Sequence, residues 1–205
     1  MSNQDVRADT MRYTPQIDDL GELPLTARRD LLASLRNRLP SERSVVAFEA
    51  VLGLACARRV WPVWQSAFPA VADPMDLAVD AVAMATNEGR ENEQDERAID
   101  RLKTYLDGKF LLGEQYFPAI YAGFACWAVA RDVITGGVAP ATSGDSESDI
   151  PPEEWDSCFL ASLAATGGAT WEGISDPSVR RGYWYWYLDI AVPEAFGLAL
   201  AATGA

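Results

Sequence analysis

Apolar residues return at intervals of three and four along most of this chain, the spacing of helices with one buried face. No segment alternates apolar and polar residues between hairpin turns. The pattern predicts an all-α protein: a single compact bundle of about eight helices, with little or no sheet. Residues 1–25 carry Pro15, Gly21 and Pro24 and show no sustained period. They are expected to form an extended or partly mobile amino-terminal arm, leaving 26–205 as one helical domain.

Thr26 is expected to cap a short helix with Leu32, Leu35 and Leu39 along one side. Arg28, Arg29, Arg36 and Arg38 surround it, the one basic neighbourhood of the sequence. Pro40-Ser41 closes that helix and opens a long apolar segment from Glu42 to Phe68. There Ala50, Gly53, Ala55 and Ala57 permit close helix–helix approach, and Pro62 is expected to kink or split the helix. Asp73-Pro74 reads as a cap with a first-turn proline, followed by a face of Met75, Ala78, Val79 and Val82. The next amphipathic helix turns Ile99, Leu102, Leu106 and Phe110 inward. Pro118 to Ile134 is apolar almost all round and is the expected central helix, ended by Gly136-Gly137. After the loop 136–152, a helix from Glu153 to Ala165 turns Trp155, Cys158 and Phe159 inward, its Glu-Glu start complementing the helix dipole.

The densest stretch is Arg180 to Phe196, with five uninterrupted aromatics from Tyr183 to Tyr187. Asp176-Pro177 again signals a helix start. At 3.6 residues per turn, Tyr183, Trp184, Tyr187, Leu188 and Ala191 share a core face, while Gly182, Tyr185 and Asp189 look outward. Pro193 is expected to kink or stop this helix, which restarts over Glu194 to Ala202.

Composition narrows the function. With 30 Asp+Glu against 17 Lys+Arg, the net charge is −13, a field that repels nucleic acid and anionic membranes and attracts basic partners. The chain contains no histidine, so the commonest general base and metal ligand are missing. Cys56, Cys126 and Cys158 are far apart, odd in number and set in apolar helical patterns, as buried reduced thiols of a cytosolic protein would be. The amino terminus lacks the plan of a signal peptide, and the apolar run Pro118 to Ala130 is too short for a bilayer. A cytoplasmic, soluble protein is expected.

The search for chemistry yields little. Gly136-Gly137 and Gly167-Gly168 lack the lysine and spacing of a phosphate loop. Lys103 and Lys109 are the only lysines available to activate a nucleophile. Glu88, Glu91 and Asp95 read as a solvated face before they read as a metal site. A glycosidase would need carboxylates such as Asp189 near Tyr185, with Trp171 and Trp186 as stacking platforms. No catalytic residue, metal or cofactor is assigned. Two features invite a partner instead: the acidic stretches 88–96 and 145–156, the second with six acids and no base, and the outward residues of the aromatic helix.

The blocks LACARRVWPVWQSAFP (54–69), the Asp-Pro start with its alanine-rich helix (73–86) and RRGYWYWYLDIAVPEAF near the end occur in that order. Together they resemble the all-helical immunity proteins of bacterial polymorphic-toxin systems, in particular the fifth family of that series. The motifs that carry the resemblance are Val60-Trp61-Pro62-Val63-Trp64, then Trp184-Tyr185-Trp186-Tyr187-Leu188 and Ala191-Val192-Pro193, spanning roughly 45–196. The resemblance implies a cytosolic protein that is not an enzyme and that binds and neutralises a cognate toxin domain. An acidic surface suits a basic, nuclease-type toxin. The expected contacts are Glu91, Glu93, Asp145, Glu147, Glu153 and Asp156, with Tyr185 or Trp186 as aromatic anchors. The alternatives are a carboxylate-dependent hydrolase such as a glycosidase, or a helical protein that self-associates through its aromatic helix.

Overall fold

The computed structural model describes residues 3–71, 73–86, 96–136, 146–172 and 176–202. Its helices are α1 (Asn3–Met11), α2 (Leu25–Arg36), α3 (Glu42–Ala67), α4 (Asp73–Thr86), α5 (Glu96–Lys109), α6 (Phe117–Thr135), α7 (Ser157–Thr166), α8 (Pro177–Trp186) and α9 (Val192–Ala202). A π-helical turn, Tyr187–Ala191, joins α8 and α9 into one continuous body. No strand occurs among the described residues, and the all-α architecture is as the periodicity predicts.

The central position of α6 follows from its composition. Ala119 through Ala130 are buried without a gap, and α3, α4, α5 and α7 pack around them. The apolar stretch Glu114–Thr135 is 22 residues, longer than the run Pro118 to Ala130 and, by length and composition, enough to cross a membrane. Most of it is buried inside the protein. At Gly123 a Cβ would come within 2.6 Å of both Leu106 Cδ2 and Trp64 Cζ3, so the missing side chain lets α3 and α5 close on α6. Gly53 does the same where α3 meets Ser157 and Val129. Gly136, in the left-handed conformation (φ 86°), ends α6 as expected.

Two expectations about local structure need correction. The amino-terminal segment contains α1, which lies against α9 with Val6 buried. Thr10 Oγ1 donates to the Leu188 carbonyl at 2.6 Å, a tie that no local pattern announces. α2 begins one residue before Thr26, after Pro24 and without a side-chain cap. Pro62 lies inside α3, which does not split there. Pro62 and Arg58, whose carbonyl loses its usual N–H partner, both face solvent, where water can replace the bond.

Pro193 does not stop the helix. Upstream of it the chain widens, and the Val192 N–H donates to the Tyr187 carbonyl five residues back. The wider turn lets the helix run on into α9 without the N–H that proline lacks. Tyr183, Trp184, Tyr187, Leu188 and Ala191 are all buried, as the helical wheel requires, while Tyr185 is exposed. Asp176 caps α8 by accepting from the Ser178 N–H at 2.7 Å.

Candidate partner-binding surface

Two of the arginines assigned to a basic neighbourhood or to the edge of the aromatic stretch are core residues. Arg28 shares the inner stripe of α2 with Leu31 and Leu35 and is 2 % exposed; Arg180 precedes Tyr183, Trp184 and Tyr187 on the inner stripe of α8 and is fully buried. The Arg28 guanidinium lies 5.0 Å from the Trp184 ring and 5.2 Å from that of Phe159. It donates to the Leu23 carbonyl at 3.0 Å and to Asp156 Oδ2 at 3.2 Å, and it forms an ion pair with Glu147. Arg180 donates to Glu22 Oε2 at 2.7 Å and to the Gly168 carbonyl. Burial works against the Arg28 charge, but Asp156, Glu147 and Glu22 outweigh it and hold its pKa above the ordinary value. Burial also pushes the Glu22 carboxyl upward against the pull of both arginines.

This cluster corrects the placement of two expected surface acids. Glu147 is 5 % exposed and Asp156 is partly buried, because a guanidinium carried into the core by a leucine stripe requires counter-charge there. Asp156 also caps α7, accepting from the Phe159 N–H at 2.7 Å. The helix therefore starts at Ser157, and Glu153 and Glu154 precede it in a 3-10 turn. Glu153 remains exposed. Glu91, Glu93 and Asp145 lie outside the described residues. On α8, Tyr185 is 41 % exposed, whereas Trp186 is half-buried with the Arg59 guanidinium 4.2 Å above its ring.

The described portion of the acidic loop is fastened from within. Besides the Arg28 contacts, the Trp155 indole donates to the Glu147 carbonyl at 3.1 Å, and Ile150 is buried. From α6, Arg131 donates to the carbonyls of Glu153 and, at 3.2 Å, Trp155, while pairing with Asp132 at 2.6 Å. Burial raises the Asp132 pKa to about 7 despite that neighbour.

The fastened segment walls a cavity of about 290 Å³. Phe124 and Trp127 of α6, Phe110 beyond α5 and Trp155 supply aromatic surface, and Lys103, Asp107 and Glu153 supply the charges. Lys103 Nζ and Asp107 Oδ2 are 2.9 Å apart. The Glu153 carboxylate has no partner among the described residues. This cavity was invisible to sequence reasoning because its walls come from α5, α6, the 152–155 turn and α7, separated by tens of residues.

Asp189, Trp171 and Trp186, considered for sugar cleavage, each have other neighbours in the fold. Arg7 grips Asp189 with two hydrogen bonds, at 2.6 and 2.8 Å. Trp171 stands by Trp155 and Phe159, while Trp186 stands by Tyr183 and Arg59. Among the described residues no group of three or more His, Cys, Asp or Glu is arranged to hold a metal ion.

The family model described as Immunity protein Imm5 matches residues 10–194 of the chain. No curated protein matches the chain.

Proposed function

The chain belongs to the Imm5 family of immunity proteins, and from that premise we propose that it neutralises a basic, nuclease-type toxin domain by binding it through an acidic, partly aromatic surface. The family match carries the immunity role and with it a toxin partner. The net charge of −13 supports the finer reading, since a nuclease must hold phosphates and presents basic surface to an acidic inhibitor. The proposed contacts are Glu91, Glu93, Asp145 and Glu153, with Tyr185 and the edge of Trp186 as anchors. Glu147 and Asp156 support this surface from inside through Arg28. The protein acts in the cytoplasm of the toxin-producing cell or its kin, and it acts by occupancy without catalysis.

A salt titration tests the electrostatic part. The affinity of the purified chain for its toxin domain falls steeply from low to high ionic strength if charge steers and holds the complex. An affinity that barely moves across that range removes it.

A further inference from the structure

We propose that the aromatic cavity between α5, α6 and the 152–155 turn is a socket for one arginine or lysine side chain of the toxin. The inference rests on the immunity reading and goes beyond it by naming the contact. Aromatic faces carry negative electrostatic potential and attract a cation set against them. Phe110, Phe124, Trp127 and Trp155 line the cavity with aromatic side chains together with apolar surface for a long alkyl stem. The cavity's 290 Å³ lies near the lower end of the roughly 300–1,000 Å³ common for ligand clefts, a size suited to one long side chain rather than a chain segment.

Charge selects the occupant. Lys103 is balanced by Asp107, which leaves the Glu153 carboxylate as the unanswered charge among the lining residues. A neutral aliphatic or aromatic side chain leaves it unanswered, and an anion is repelled. A guanidinium or ammonium group answers it. The same wall already shows this chemistry from within, where the Arg131 guanidinium stands 4.8 Å from the Trp127 ring.

Rigidity completes the case. Arg131 holds the carbonyls of Glu153 and Trp155, and Arg28 holds Glu147 and Asp156 on either side of the turn. A socket braced in advance loses little freedom when its guest enters.

The test titrates the full chain with end-blocked tripeptides Gly-Arg-Gly, Gly-Lys-Gly, Gly-norleucine-Gly and Gly-Phe-Gly, following the indole N–H resonances. The cationic peptides are expected to shift the Trp127 and Trp155 signals saturably, and the norleucine and phenylalanine peptides to leave them in place. Glu153→Gln, at an exposed position, weakens the cationic peptides roughly five-fold. Equal shifts by the neutral peptides, no saturable shift by any peptide, or unchanged affinity in Glu153→Gln overturns the socket. With the toxin domain itself, binding that is indifferent to Glu153→Lys overturns the socket and leaves the immunity reading standing. A toxin ignored by the wild-type chain overturns both.

Discussion

The carboxyl-terminal aromatic helix and the acidic segment 146–156 are each dense in one kind of side chain, and each invites a reading as binding surface. In the helix, burial follows the period: Tyr183, Trp184 and Tyr187 go in and Tyr185 comes out. In the acidic segment, burial follows charge: Glu147 and Asp156 turn inward to meet Arg28, while Glu153 and Glu154 stay in solvent. A regular element thus declares its inner face from its own sequence. An irregular one takes its inner face from a partner that lies more than a hundred residues away, here on α2.

The comparison can be broken by removing the anchor of each region, and the largest losses are expected there. Arg28→Ala strands Glu147 and Asp156 without their counter-charge, leaves Glu22 to Arg180 alone and destabilises the fold by about 3–5 kcal/mol, measured by urea unfolding. A loss near zero would show that the acidic segment is not held from within. Trp184→Ala removes a fully buried ring and also costs about 3–5 kcal/mol.

An effect spread over a range of pH comes from Asp132, next to the arginine that braces the same segment. Its folded-state pKa of about 7, against an ordinary 3.8, means that the folded chain keeps a proton the unfolded chain releases. Its contribution to stability is therefore largest below about pH 4 and declines as pH rises toward 7, at no more than about 1.4 kcal/mol per pH unit. Glu22, also shifted upward, contributes with the same sign. Asp132→Asn should flatten the stability profile between pH 4 and 7, and equal slopes in variant and wild type would contradict the assignment. The smallest effect sharpens the contrast within one helix: Tyr185→Ala, next to Trp184, shifts stability by less than about 0.5 kcal/mol.

The architecture was largely legible because helices announce themselves locally. Gly136 as the stop of α6, Asp176-Pro177 as the start of α8 and the five-residue core face all follow from spacing and capping chemistry. Arg28 and Arg180 are legible in the same way. Each stands three and seven residues before core side chains, Leu31 and Leu35 in one case and Tyr183 and Tyr187 in the other. An arginine on that stripe forecasts buried acids elsewhere. α1 was harder, since its docking depends on Val6 and on the Thr10 bond to Leu188, both meaningful only once α9 is in place. The cavity could not be read at all, because no short stretch contains more than a part of its lining.

Titration of the toxin domain's activity with this protein tests the central claim most directly. Inhibition by occupancy predicts that residual activity falls in fixed proportion to added protein and that toxin recovered from the complex is chemically intact and active again. Complete inactivation by a small fraction of that amount, or recovery of an altered toxin, would contradict it.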